Sequence, residues 1–217
     1  METDKIQLKI VLVTLTAIVS IELVVGLMPW GDNISPMVVL GVLRMIELAL
    51  LLSIVIKLGR GLESIGLGGK DLLPGLKKGL IWSAIFGAAV ALGFVVLALV
   101  GINPLKLFAS SMPRGVFDVA LFLVVGGLIA PVVEEVVFRG IFYGYFRNRG
   151  IAAAILISSG IFVLFHPLTG IPVPQIIGGV VFALAYEFTG SLVTPIIIHI
   201  LGNLAIFGLS FIARFWL

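Results

Sequence analysis

Long apolar runs separated by short polar connections dominate the pattern of this chain. A helix needs about 20 mostly apolar residues to cross the hydrocarbon core of a bilayer, and these runs are close to that length. The pattern therefore predicts an all-α, polytopic membrane protein with about seven transmembrane helices. The predicted spans lie near 9–29, 37–57, 80–100, 116–146, 151–166, 172–189 and 191–213.

Two stretches depart from this simple alternation. The fourth run is long enough to be broken, and we expect the break at Pro131, because proline removes a backbone donor and clashes with the preceding turn. The stretch 59–79 mixes apolar, basic and glycine residues, which predicts an interfacial segment on the membrane surface before the third span. No room remains for a second soluble domain, so residues 1–217 are expected to form a single integral membrane domain.

The composition excludes a soluble domain and several kinds of site. Of the 217 residues, 60% are hydrophobic and 12% are charged, and the mean hydropathy is +1.27. The absence of cysteine excludes disulfides, thiolate metal sites and cysteine nucleophiles. The net charge of +3 comes mainly from basic residues between the apolar runs, so it predicts membrane topology and no nucleic-acid partner.

The distribution of Lys and Arg over the connections predicts the orientation. Cytoplasmic connections carry the excess of basic residues, and the predicted side of the N-terminus has nine against three on the other side. We therefore expect the N-terminus in the cytoplasm and the C-terminus outside. The nine are Lys5, Lys9, Lys57, Arg60, Lys70, Lys77, Lys78, Arg147 and Arg149, and the three are Lys106, Arg114 and Arg214.

Charged side chains occur in the middle of the fourth apolar run. An ionisable group at membrane depth costs roughly 3 kcal/mol or more unless it has a partner or a function. On a helix, Glu135 and Arg139 stand four residues apart and can neutralise each other on one face. Glu134 lies about 100° round the helix from Glu135 and remains available for chemistry. A second charged pair, Arg44 and Glu47 in the second span, is expected to be structural.

The two histidines of the chain belong to two further four-residue pairs, Phe162 with His166 and His199 with Asn203. At 1.5 Å per residue, the polar members of these pairs and Glu134 lie about 12 to 22 Å along their helices from connections on one side. They are nearly level, so we expect them to converge from three helices on one intramembrane site. A histidine before proline is also expected to end its helix, which applies to His166.

The three motifs together resemble those of the CAAX protease and bacteriocin-processing (CPBP or Abi) family and its type II CAAX prenyl endopeptidases. The motifs are Glu134-Glu135-x-x-x-Arg139, Phe162-x-x-x-His166 and His199-x-x-x-Asn203. The match covers about 131–203, inside a predicted peptidase core of about 116–213. The resemblance implies an intramembrane endopeptidase whose active site is formed within the helix bundle. It also implies a peptide or protein substrate with an apolar or lipidated segment close to the lipid bilayer.

Two mechanisms are compatible with this resemblance, since family members have been described as metalloproteases and as glutamate-dependent enzymes. A zinc hydrolase normally takes three protein ligands and keeps one position open. The three here would be His166, His199 and a glutamate, with Glu134 as that ligand. The other glutamate is then tied to Arg139, and no free general base remains. We therefore favour a site without a cofactor and keep zinc as the alternative.

The resemblance assigns a role to each motif residue in the metal-free mechanism. Glu134 and His166 are expected to activate a water molecule, and His199 and Asn203 to form an oxyanion hole. The remaining motif residues are expected to be structural or auxiliary: Glu135, Arg139 and Phe162.

Two functions without proteolysis compete with this hypothesis. A non-enzymatic immunity or peptide-binding membrane protein would be expected to have lost a motif residue, and all the motif residues are present. A proton-coupled transporter usually shows paired repeats, and none is visible in the sequence. For a prokaryote, the resemblance points to a plasma-membrane protein that processes small secreted peptides or sorting signals.

Overall fold

The computed structural model describes residues 6–31, 34–105, 112–113, 115–166 and 171–216, with side chains described up to residue 213. Within these ranges the chain contains helices and no strand, which confirms the prediction of an all-α polytopic membrane protein. The seven main helices are α1 (Leu8–Leu27), α2 (Pro36–Leu58), α3 (Gly69–Leu99), α4 (Val116–Arg149), α5 (Ile151–Leu164), α6 (Val173–Thr189) and α7 (Val193–Trp216).

Five of these helices are long and apolar enough to cross a membrane, namely α1, α2, α3, α4 and α7. Helices α5 and α6 are apolar but contain 14 and 17 residues, which corresponds to about 21 and 26 Å. They are therefore shorter than the spans predicted for 151–166 and 172–189. Helix α5 ends at Leu164, just before His166, as the following proline predicts.

The predicted surface segment before the third span is only partly separate from that span. A short 3-10 turn, Leu62–Ile65, is followed almost directly by α3, which starts at Gly69 and continues through Pro74 to Leu99. Residues 69–79 are therefore the first turns of the helix that forms the third span, and the interfacial location of 59–79 stays a prediction. At 31 residues, α3 is about 46 Å long, so its first turns can extend beyond an apolar core about 30 Å thick.

Helix α4 is the central element of the bundle. It packs against α1, α2, α5, α6 and α7, and its residues from Val136 to Gly144 are all buried. The break expected at Pro131 is absent, so that prediction is wrong. Helix α4 continues through Pro131 and contains two wide turns instead. Both are π-helical, at Val125–Ile129 and Val136–Tyr143, on either side of the α-helical residues Ala130–Glu135. A π-turn adds a residue to one turn, which lets a helix accommodate a proline without ending.

Glycines let α3 and α7 approach each other closely. A Cβ atom added to Gly79 would lie 2.8 Å from the Ile197 Cβ atom, whereas one added to Gly87 meets nothing within 4 Å. The approach is held by polar contacts near the start of α7, where the Thr194 hydroxyl donates to the Gly75 carbonyl oxygen over 3.2 Å. Small residues are what membrane helices use at such contacts.

The substitution Gly79→Ala is expected to destabilise the bundle, because the new methyl group overpacks the α3–α7 contact at a cost of about 1–3 kcal/mol. Gly87→Ala is the matched control in the same helix, with open space around the new methyl group and a better helix former in place of glycine. We expect thermal unfolding in detergent, followed by circular dichroism, to give a lower Tm for Gly79→Ala only. Equal Tm values for the two variants would contradict the close contact.

Candidate active site

Glu135 lies at the centre of a buried charge network that joins three helices. Its Oε1 atom accepts a hydrogen bond from Arg139 Nη1 at 2.8 Å and lies 2.8 Å from His199 Nδ1. Arg139 is completely buried and donates from Nη2 to the Gly179 carbonyl oxygen at 2.9 Å. The network therefore connects α4 with α6 and α7. The ion pair expected four residues apart on α4 is present.

The ring of His199 is oriented by this network. An ionised Glu135 can only accept hydrogen bonds, so the contact at Nδ1 requires that His199 carry a proton there. Its other nitrogen, Nε2, lies 3.6 Å from Glu134 Oε2. The Phe182 ring stacks on the imidazole with 4.5 Å between the ring centroids and 23° between the planes. One face of the ring and one nitrogen are thus fixed, and Nε2 faces Glu134.

His166, just after the end of α5, presents the same nitrogen to the same carboxylate. Its Nδ1 atom lies 2.8 Å from the Phe162 carbonyl oxygen. A carbonyl only accepts, so Nδ1 carries the proton and a neutral His166 has its lone pair at Nε2. That Nε2 atom lies 4.0 Å from Glu134 Oε2.

Glu134 is the carboxylate between the two rings. Its side chain is 21% exposed, yet its Oε2 atom is buried and has no hydrogen-bond partner in the described structure. A buried carboxylate oxygen without a donor is unfavourable by about 1–3 kcal/mol. An unpartnered oxygen facing two imidazole nitrogens is therefore a suitable place for a water molecule or another ligand.

Asn203 is placed differently from these three side chains. Its amide nitrogen Nδ2 donates to the Gly126 carbonyl oxygen of α4 at 2.9 Å. No described contact joins the Asn203 side chain to Glu134 or to either histidine. The structure thus brings Glu134, His166 and His199 together, and it places Asn203 one turn along α7 from His199 with one amide hydrogen already bonded.

The buried Phe162 ring packs against the charged network. Its ring contacts the rings of His166 at 4.6 Å and His199 at 5.7 Å between centroids. The Arg139 guanidinium carbon lies 4.7 Å from the centroid of the same ring, a distance typical of a cation–π contact. The side chain therefore packs against both histidines and the arginine at once.

Other charges in the bundle form separate pairs. Arg44 Nη1 contacts Glu47 Oε2 at 2.5 Å and Glu22 Oε1 at 3.4 Å, so the structural pair expected in the second span is present. At the other end of α4, Arg147 forms a two-pronged contact with Glu187. Neither pair has a described hydrogen bond to the Glu134 site.

The donor atoms around Glu134 are of the kind that zinc uses, although they are not arranged as a metal site. Among the described residues, no group of three or more His, Asp or Glu side chains is close enough to hold a metal ion. Tetrahedral zinc with bonds near 2.0–2.1 Å places its ligand atoms about 3.4 Å apart. The separations of 3.6 and 4.0 Å from Glu134 Oε2 to the two Nε2 atoms are somewhat longer.

The sequence analysis missed three residues of this arrangement. Gly126 and Gly179 contribute carbonyl oxygens, and Phe182 contributes the ring that covers His199. Only Gly126 had a signal, because it stands five residues before Pro131 and so faces a missing backbone donor in a wide turn. Gly179 and Phe182 are single residues of an apolar helix, and nothing in the surrounding sequence distinguishes them.

Comparison with known proteins agrees with the motif residues. The sequence profile of the family described as "Type II CAAX prenyl endopeptidase Rce1-like" matches residues 115–205, which run from the start of α4 into α7. The match includes Glu134, His166, His199 and Asn203. No curated protein and no solved structure matches the chain. This match supports the resemblance of residues 115–205 to the type II CAAX prenyl endopeptidases of the CAAX protease and bacteriocin-processing family.

Proposed function

We propose that this chain is an intramembrane endopeptidase of the glutamic type, with Glu134 as its general base. One observation carries the proposal: the buried, unpartnered Glu134 Oε2 atom faces the Nε2 atoms of His166 and His199 at 4.0 and 3.6 Å. A base must be within hydrogen-bond reach of the proton that it removes, directly or through one water. The family domain supplies the reaction class, and this cluster supplies the groups for it.

The attacking water is expected between Glu134 Oε2 and His166 Nε2. Both atoms are acceptors when His166 is neutral with its proton on Nδ1, so a water there donates one hydrogen to each. An oxygen lone pair is then directed away from both acceptors and towards the scissile carbonyl carbon. As the new carbon–oxygen bond forms, Glu134 takes the water proton. It later gives that proton to the amine nitrogen when the carbon–nitrogen bond breaks.

His199 is proposed to donate from Nε2 to the developing oxyanion. This role requires protons on both ring nitrogens, since Nδ1 already donates to Glu135. In that form the two glutamates, Arg139 and His199 carry charges that sum to zero. A balanced cluster is far less costly than an unpaired charge in a low-dielectric interior, which supports the doubly protonated state.

Asn203 is proposed as the second oxyanion donor. A primary amide has two N–H groups, and the bond to Gly126 uses only one of them. The second remains available to a substrate oxygen. Two donors aimed at the developing charge are the usual form of an oxyanion hole.

Zinc is the alternative for the same residues. Both histidines donate from Nδ1 to an oxygen acceptor, which is also how metal-binding histidines are held. When bound, zinc would supply a Lewis acid for the scissile carbonyl and for the attacking water. His166, His199 and Glu134 would hold it, and Glu135 would remain engaged by Arg139 and His199 without being free to act as a base.

The proposed substrate is a peptide or protein with an apolar or lipidated segment next to the scissile bond, since the site lies inside a membrane bundle. We propose the plasma membrane of a prokaryote as its location, with the N-terminus in the cytoplasm. A non-enzymatic peptide-binding or immunity protein is the alternative, and it would bind such a peptide without hydrolysing it.

Glu134→Gln is expected to abolish hydrolysis while the protein remains folded, because an amide of the same size cannot take a proton from water. The assay uses purified protein in liposomes and a quenched fluorescent peptide with a membrane-inserted apolar segment, prepared with and without a prenylated cysteine. Glu22→Gln is the control, since Glu22 lies outside the site and is partly exposed. Activity within a few-fold of wild type would remove Glu134 from the role of base, and no cleavage by wild type would favour the binding protein.

Chelation and Asn203→Ala together are expected to separate the two mechanisms. The metal-free site predicts that hydrolysis survives prolonged chelation and that Asn203→Ala lowers kcat by about 100- to 1000-fold, as loss of an oxyanion donor does. An amide is a poor zinc ligand, so the metal site gives Asn203 no direct part in the chemistry. Elemental analysis showing about one zinc per chain, lost in parallel with activity, would overturn the metal-free proposal.

The proposed orientation can be tested through single cysteines, because the natural chain has none. Asn103 follows α3 and Asn148 lies in the last turn of α4, so the two exposed residues are on opposite predicted sides. In intact cells, a membrane-impermeant maleimide is expected to label Asn103→Cys, and to label Asn148→Cys only after permeabilisation. The reverse pattern would place the N-terminus outside.

A further inference from the structure

The wide turn before Pro131 leaves one backbone oxygen without a backbone donor. The Ala130 N–H donates to the Val125 carbonyl oxygen, a bond that spans five residues. In this register the next bond would run from residue 131 to the Gly126 carbonyl oxygen. Residue 131 is proline and has no N–H. Ala130 is already engaged, so the Gly126 oxygen must find its donor outside the helix or remain unsatisfied.

Asn203 supplies that donor from α7. Its Nδ2 atom lies 2.9 Å from the Gly126 oxygen. The approach is closest at Gly127, where an added Cβ atom would lie 2.7 Å from Leu204 Cδ2, whereas one added to Gly126 would lie 3.4 Å from the Phe207 ring. In membrane interiors a side chain from a neighbouring helix is a usual way to satisfy the carbonyl that a proline frees.

We propose that Pro131 is a positioning residue for Asn203. By withholding a backbone N–H it leaves the Gly126 oxygen to capture one amide hydrogen of Asn203. The amide group is planar with its two N–H bonds about 120° apart, so fixing one hydrogen bond fixes the direction of the other N–H. The catalytic part of this inference rests on the proposed oxyanion role of Asn203, whereas the exchange of donors does not.

A backbone donor at position 131 should therefore compete with Asn203. In Pro131→Ala the new N–H bonds to the Gly126 oxygen, or the wide turn tightens and the Ala130 N–H does so. In either case the carbonyl is satisfied within α4. The Asn203 side chain then loses its anchor and can adopt other rotamers.

The first test is a double-mutant cycle on stability. In the natural background, Asn203→Ala leaves the part-buried Gly126 carbonyl without a donor, so the Tm in detergent is expected to fall by several degrees. In the Pro131→Ala background the same change is expected to lower Tm by less than half as much. Pro131→Ser restores the same backbone N–H and provides a second version of the cycle. An equal loss of Tm in every background would overturn the exchange of donors.

The second test is kinetic and uses the membrane-inserted quenched peptide described above. Pro131→Ala is expected to lower kcat by about 10-fold or more with KM within about 3-fold, because the oxyanion donor is misdirected while substrate binding is retained. A purely structural proline would give an unchanged kcat in a protein that is at least as stable. That result would overturn the positioning role.

The double variant distinguishes failure of this inference from failure of the oxyanion proposal. In Pro131→Ala combined with Asn203→Ala, the Gly126 carbonyl has a backbone donor but the Asn203 amide is absent. This double variant is expected to recover stability and to keep a low kcat. Recovery of both stability and kcat would remove Asn203 from the oxyanion role and would leave the exchange of donors standing.

Pro74→Ala is the matched control for the general effect of replacing a proline inside a helix. Pro74 lies inside α3, a helix that contributes no side chain to the proposed site. This change is expected to leave kcat unaltered and to leave the stability cost of Asn203→Ala at its value in the natural background. A change in that cost as large as the one given by Pro131→Ala would contradict a specific coupling through Gly126.

Discussion

The carboxylate of Glu135 is the group on which the site depends. It is fully buried, and its Oε1 atom accepts hydrogen bonds from both Arg139 and His199. Removing one partner of such a buried pair leaves an uncompensated charge at a cost of about 3–5 kcal/mol. The helices that carry these groups are therefore held in one arrangement, and the direction of the His199 ring follows from that arrangement. Glu134 remains outside the network, which leaves its Oε2 atom free for a ligand.

The backbone of α4 contributes as much to the site as its charges do. Two wide turns, Val125–Ile129 and Val136–Tyr143, lie on either side of the residues that bear both glutamates. Such turns often occur at functional sites because they change the face on which the following side chains lie. In this helix the first of them also exposes the Gly126 oxygen to Asn203. The proline and the wide turn thus give α4 and α7 a second contact, in addition to the contact between Glu135 and His199.

The sequence predicts the charged partners well because charge in an apolar run leaves few choices. The all-α bundle follows from the apolar runs, the pair of Glu135 with Arg139 from their spacing, and the end of α5 near His166 from proline chemistry. The wide turns were not predicted. The hydrophobic pattern of a helix with 3.6 residues per turn is compatible with either a break or a straight helix at Pro131. The partner of Asn203 was missed with the wide turns, because the Gly126 oxygen lacks a backbone donor only when the turn before Pro131 is wide. The lengths of α5 and α6 also differ from the prediction, as hydropathy alone does not show where a turn begins.

The charges of the site support the proposed hydrolysis inside the helix bundle. Before reaction, the proposed cluster has negative charge on both glutamates and positive charge on Arg139 and His199, with a sum of zero. As Glu134 takes the water proton, its negative charge disappears and an equal charge develops on the substrate oxygen. The His199 Nε2 atom lies 3.6 Å from Glu134 Oε2. It can face the negative charge both on Glu134 and on the substrate oxygen. The step therefore moves one negative charge within a cluster whose charges are balanced and already oriented. Groups that are oriented before the reaction stabilise a transition state in a low-dielectric site with little reorganisation.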